Sequence, residues 1–264
     1  MRGPAVAGAV GAVVVACGGV EPVAVRPTAA SASASAEPAV GAEFGVVPLP
    51  KEDEMIALEG GTYSSSLTRQ PVTVSGFFVD AIEVTVAAYE RCVRAGACSS
   101  EGLAMPPGGP LSGLCNWGAL GKREHPINCV TWEQASAYCR HKNKRLPSEE
   151  EWEWAARGRG RGSVYPWGNE LPVSARVCWQ PLSKLTGTCR VASFPYGASR
   201  ERVFDLAGNV WEWTATAREV DGHTERVLRG GSFEDMNPRR VQASSRYSHK
   251  PERVDPTIGF RCAR

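Results

Sequence analysis

Beyond about residue 51 the chain alternates short apolar runs with glycine turns and three amphipathic stretches. Met55-Ile-Ala-Leu58 followed by Glu59-Gly60-Gly61-Thr62-Tyr63 predicts a short strand and a glycine turn. Val72-Thr-Val74 and Phe77-Phe-Val79 predict further strand. After Thr85, a capping residue, the apolar Val86, Tyr89, Cys92 and Val93 recur at helical spacing, with Gly96 as the stop. Thr131 and Gln134 make a capping-box pair for a second helix, with Trp132, Ala135, Tyr138 and Cys139 on one face. A third helix begins at Ser148, where Glu151 completes another capping box. Glu149 and Glu150 occupy its first turn, where the helix dipole favours anions, and it should end near Gly158. Residues 97–130, with Pro106-Pro-Gly-Gly-Pro110, read as loop that Cys115 and Cys129 would have to hold. From Gly160 onward apolar pieces alternate with Gly, Pro and Asn, which predicts irregular chain with only brief strands. The pattern implies one α+β domain over residues 51–264, with little regular structure and no internal repeat.

The first fifty residues differ in kind. After Met1 and Arg2, residues 5–16 are apolar but too few to span a bilayer, so residues 1–16 read as a secretory signal. The run ends Val14-Val15-Ala16-Cys17, which resembles the lipobox of bacterial lipoproteins, whose cysteine is diacylated and becomes the mature N-terminus. The competing reading is an ordinary signal peptide that happens to contain a cysteine. Two acyl chains would anchor the chain stably, at roughly 0.8 kcal/mol per buried CH₂. Residues 17–50, rich in Ala, Ser, Pro and Gly without an apolar period, read as a disordered tether. About thirty such residues span on the order of 30 Å. The expected location is therefore the periplasmic or cell-surface side of a bacterial membrane, held by a lipid anchor.

Composition narrows the chemistry. In 264 residues, 30 Lys plus Arg face 28 Asp plus Glu, so a net charge of +2 creates no field to gather nucleic acid, and no nucleic-acid partner is expected. The arginines within residues 157–161 and 239–246 read as solvated loop charge and receive no function. Of nine cysteines, eight remain once Cys17 is set aside, an even number that favours disulfides in an exported chain. Zinc is the alternative, but no Cys-x-x-Cys occurs and His125, His141, His223 and His249 lack ligand spacing. Nearest-neighbour pairing would join Cys92 with Cys98, Cys115 with Cys129, and Cys178 with Cys189.

Six segments carry a family resemblance through their order and spacing. They are His125-Pro-Ile-Asn-Cys-Val-Thr-Trp132, Lys144-Arg-Leu-Pro-Ser-Glu-Glu-Glu-Trp-Glu-Trp-Ala-Ala-Arg-Gly158, Tyr165-Pro-Trp-Gly-Asn169, Phe204-Asp-Leu-Ala-Gly-Asn-Val-Trp-Glu-Trp-Thr214, Arg229-Gly-Gly-Ser-Phe233 and Ile258-Gly-Phe-Arg261. Together with Glu83-Val-Thr85 and Tyr89 they resemble the sulfatase-modifying-factor, or formylglycine-generating-enzyme, domain. The resemblance implies that family's variant of the C-type lectin fold and a structural bridge between Cys139 and Cys262. It also implies a structural Ca²⁺ held by the side chains of Asp205 and Glu212 and the backbone carbonyls of Gly208 and Val210, hard oxygen ligands of the kind calcium requires. Arg145, Arg157 and Arg261 are candidate ion-pair partners for Glu149, Glu150, Glu151, Glu153 and Glu212. The tryptophans are expected to supply core area, with their N–H groups bonded to polar turns.

Active members of that family hold Cu(I) on two cysteines after the Arg-Gly-Gly-Ser-aromatic motif and oxidise a substrate cysteine to formylglycine. Here those positions carry Asp235 and Arg240, and no cysteine lies between Cys189 and Cys262. Neither residue replaces a thiolate, so no copper is expected. The sequence points to a non-catalytic, membrane-tethered binding or scaffold module with an unidentified protein, peptide or glycan ligand. Its alternatives are an oxidoreductase acting on an exported protein, of formylglycine-generating or non-haem-iron type, and a lectin-like glycan-binding module.

Overall fold

The computed structural model describes residues 48–104, 113–183 and 187–264, and its compact body runs Val46–Arg264. The signal segment 1–16, Cys17 and nearly all of the tether lie outside the described residues.

Two small antiparallel pairs open the body. Strand β1 (Met55–Leu58) pairs with β4 (Phe77–Asp80), and β2 (Gly61–Ser64) pairs with β3 (Pro71–Val74). Gly61 and Tyr63 thus belong to a strand, where the sequence pattern had placed them in a glycine turn. The glycine is there for packing. A Cβ on Gly61 would stand 2.7 Å from the Trp154 ring, so the bare backbone lets that indole lie on the hairpin. Helices α1 (Val86–Arg94), α2 (Trp132–His141) and α3 (Glu149–Ala156) follow. Thr85 caps α1 through the Ala88 N–H, and Thr131 with Gln134 and Ser148 with Glu151 form complete capping boxes. Each such cap contributes about 1 kcal/mol.

The C-terminal half holds a four-stranded sheet in the order β7-β6-β5-β8, made of β5 (Trp211–Val220), β6 (His223–Arg229), β7 (Arg246–His249) and β8 (Ile258–Gly259). β8 runs parallel to β5 and the other pairs are antiparallel. At ten and seven residues, β5 and β6 exceed the brief strands expected after Gly160. Beyond Thr214 the hairpin projects into solvent and has no apolar face to betray it. Its signature is instead the turn Asp221-Gly222, both residues at positive φ, together with cross-strand Arg218 opposite Glu225.

The core forms around aromatic side chains. Tyr89 of α1 stacks on Tyr138 of α2 at 5.7 Å, and Phe260 meets both edge-on. A second cluster sets Trp152 and Trp154 of α3 against Leu58, Tyr63 and Val79. The buried indoles find the partners such rings need: Trp152 donates to Glu212, Trp154 to the Glu59 carbonyl, and Trp213 to the Val130 carbonyl. Four disulfides staple the loops: Cys92–Cys98, Cys115–Cys129, Cys139–Cys262 and Cys178–Cys189. The third ties α2 to the C-terminal segment across 123 residues, a closure that contributes about 4–5 kcal/mol in the chain-entropy account.

Between these bridges a polar network replaces secondary structure. Asn128 donates to the Leu114 and Pro256 carbonyls and accepts from the Asn116 N–H, while Asn116 donates to Thr188. His125 meets the same Thr188 hydroxyl at 2.9 Å. Burial, with the nearby Lys122 ammonium, lowers the His125 pKa from 6.5 to about 4. The unfolded chain therefore binds a proton that the native state refuses, and stability should fall as pH drops from 6.5 through 4. The measurable expectation is that H125Q, which does not titrate, flattens the difference in urea midpoint between about pH 7 and about pH 4.5. Equal midpoint shifts in variant and wild type would remove His125 as the cause.

Candidate functional site

A cavity of about 270 Å³ opens where β5, β7 and the loop after β6 converge. Its walls are built in a definite order. Arg229, at the end of β6, is buried and donates to Glu153 of α3 and to the Ser244 and Ser245 carbonyls, which anchors the start of the loop. Gly230 and Gly231 both take positive φ, and a Cβ on Gly231 would stand 2.4 Å from the Arg240 carbonyl. The loop closes back on residue 240 only because that atom is missing. Ser232 donates its N–H and its hydroxyl to one oxygen of Asp235, and Arg240 Nε donates to the other at 3.1 Å. Asn237 caps the short turn Pro238–Val241 that carries Arg240.

The Arg240 guanidinium lies 4.8 Å from the Trp211 ring centre and 5.2 Å from that of Tyr247, a cation held against two aromatic rings. Tyr247 and His249, two apart on β7, share a face of the strand, and the His249 ring meets Tyr247 edge-on. The facing wall carries Arg253, paired with Asp255 at 2.6 Å. Burial pushes the Asp255 carboxyl up, but bonds from Thr257 and Arg253 outweigh it and hold the pKa below its ordinary value. The cavity thus carries paired charges beside two flat rings.

Asp235 and Arg240, separate in sequence, meet here at the positions where the resemblance locates a cysteine pair. All eight cysteines among the described residues are bonded in pairs, so no free thiol of the described residues faces the cavity. The arginine-rich stretches are not mere solvated charge. Arg157 pairs with Glu153, Arg159 with Glu59, and Arg246 bridges both oxygens of Glu149. Trp211, Tyr247, Arg253 and Asp255 escaped sequence reasoning. Among them only Tyr247 has a local signal, its period-two spacing with His249.

The residues expected to hold calcium lie in the core beneath. Glu212 is fully buried. Arg261 donates to both of its oxygens at 2.7 Å and Trp152 to one of them. Asp205 accepts from the Ala192 N–H. Glu83, also buried, accepts from Asn209 through one oxygen and has no hydrogen-bond partner for the other. Burial, then the charges of Asp205 and Glu212, push Glu83 well above the ordinary carboxylate range, and burial lifts Asp205 to about 6. Three buried carboxylates therefore share one guanidinium. That excess, with an orphaned oxygen, fits a hard cation, although among the described residues no three His, Cys, Asp or Glu side chains are grouped as a ready metal site.

The sulfatase-modifying factor enzyme 1-like domain matches residues 42–264. The inactive C-alpha-formylglycine-generating enzyme 2 of Bos taurus is 39% identical over 173 residues, covering 60% of this chain and 54% of that protein, so the match spans about half the relative's length. The formylglycine-generating enzyme of Mus musculus is 29% identical over 281 residues, covering 83% and 73%. Among solved structures, PvdO from Pseudomonas aeruginosa superposes with a TM-score of 0.62 at 22% identity, over 80% of this chain and 94% of that one, which establishes a shared fold. The motif order, the disulfide-stapled α+β body and the span of the domain match together show that this chain belongs to the sulfatase-modifying factor enzyme family.

Proposed function

We propose that the protein is an exported, lipid-anchored binding module in which a salt bridge stands where the family's copper–thiolate chemistry resides. One observation supports this reading: Arg240 is paired with Asp235 and packed on Trp211 and Tyr247, at the two positions where the resemblance expects the thiol pair. A fixed guanidinium repels a soft cation, and a carboxylate offers it the wrong donor. A relative that is itself named inactive supports the same reading. The cavity keeps aromatic walls and paired charges that suit recognition of an extended peptide without chemistry on it. Incubating residues 46–264 with Cu(I), oxygen and a peptide carrying Cys-x-Pro-x-Arg should produce no aldehyde above a protein-free control. Aldehyde that disappears in R240A would overturn the non-catalytic assignment.

The tether and anchor rest on residues 1–50. Mass spectrometry of the mature chain should find a diacylglyceryl group on Cys17 at the N-terminus; an unmodified N-terminus elsewhere in the linker would reject the anchor.

Calcium, held by Asp205, Glu212 and the Gly208 and Val210 carbonyls, would offset the core's excess negative charge. At calcium about 100-fold above its dissociation constant, binding to the native state alone adds about 2.7 kcal/mol. In a domain of this size that is about 5–10 °C in melting temperature, lost on adding chelator. A chelator without effect on melting, together with no calcium heat in calorimetry, would eliminate the site.

A further inference from the structure

A second cavity, of about 400 Å³, is lined by residues from 158 to 168 and from 196 to 200 and shares no residue with the groove of Asp235 and Arg240. Its chemistry differs. Arg161 and Arg200 both line it, both are exposed, and neither forms an ion pair or side-chain hydrogen bond among the described residues. Of the acidic groups nearby, the Glu170 carboxylate stands beside Gly168 of the lining, and the others do not line the cavity. Glu170 pairs with Arg176, Glu153 serves Arg157 and Arg229, and Glu201, next to Arg200 in sequence, does not line the cavity. Two unpaired guanidiniums lining one cavity attract an anion, which their planar forks bind through paired N–H groups.

Two aromatic residues, Trp167 and Tyr196, stand among the small residues of the remaining lining. Trp167 stacks flat on Tyr165, ring centres 5.0 Å apart, has the Arg176 guanidinium over its ring at 6.0 Å, and donates its N–H to the Glu170 carbonyl, so its orientation is set before any ligand arrives. Tyr196, from the turn Pro195–Gly197, is half exposed beside it. Gly158, Ser163, Pro166, Gly168 and Ala198 complete the lining. None of the named strands contributes to the lining, so an extended peptide would find no free strand edge to pair with. A compact ring that presents polarised C–H groups to an aromatic face and an acidic group to an arginine suits this geometry.

The geometry points to a binding site for an acidic saccharide, a sugar ring bearing carboxylate or sulfate, with Trp167 and Tyr196 under the ring and Arg161 and Arg200 on the anion. This site is independent of the groove and stands whether or not the groove binds a peptide.

The test is titration calorimetry of the full chain with three probes: trigalacturonate, its uncharged methyl ester and inorganic phosphate. A sulfated heparin tetrasaccharide serves as a second acidic sugar. At least one acidic sugar should bind, with the methyl ester about ten-fold weaker than trigalacturonate or undetectable. The double variant R161Q/R200Q should weaken the acidic sugar by about ten-fold or more while its melting temperature stays unchanged, because both side chains are exposed. Failure of both acidic sugars to bind overturns the proposal, as does equal binding of acid and ester. Phosphate binding as tightly as the sugars would remove the ring from recognition and overturn it equally.

Discussion

No water reaches the guanidinium of Arg261, and the body of the protein is arranged around it. It donates to both oxygens of Glu212 on β5, to the Asp80 carbonyl at the end of β4, and to the Phe204 carbonyl in the loop before β5. Glu212 in turn accepts from Trp152 of α3. β5, the end of β4 and the loop before β5 thereby meet at one cation carried by the C-terminal segment, and α3 joins them through Glu212. A buried pair stripped of either partner leaves an uncompensated charge, at a cost of about 3–5 kcal/mol. Pairing of this kind confers less net stability than well-packed apolar groups would, but it tolerates only one arrangement of the segments it joins. In a chain whose strands mostly run four residues, that directional demand does the work that long ladders do elsewhere.

A second charged centre repeats the logic one layer out. Arg229 and Glu153 are both buried and paired, with Glu149 and Arg246 completing a chain from α3 to β6 and β7. Arg229 precedes the two glycines that turn the loop toward Arg240, so the geometry of the groove is inherited from the core by way of that single residue. Disulfides act differently. They shorten the unfolded chain's freedom without dictating orientation, and they hold the long loops close enough for Asn116, Asn128 and Thr188 to complete their network.

The salt bridge of Asp235 and Arg240 is held in place by the walls of its own cavity. Ser232 supplies the donors that fix Asp235, and Trp211 and Tyr247 supply faces for the cation. Both residues are thus fixed by contacts within the cavity wall, which carries hard, paired charge beside two aromatic rings.

The three helices were legible because their information is local. Thr85, Thr131 and Ser148 cap chain a few residues away, and a capping box is a pattern of four positions. The family motifs likewise carried the α+β body. The β5–β6 hairpin was hidden because its outer half has no buried face, and the strand role of Gly61 depended on an indole ninety-three residues away. The orphaned oxygen of Glu83, the aromatic walls around Arg240 and the unpaired state of Arg161 and Arg200 belong wholly to the tertiary structure. A charge becomes a partner, a ligand or a liability only through what stands within a few ångströms of it, and the fold alone decides that distance.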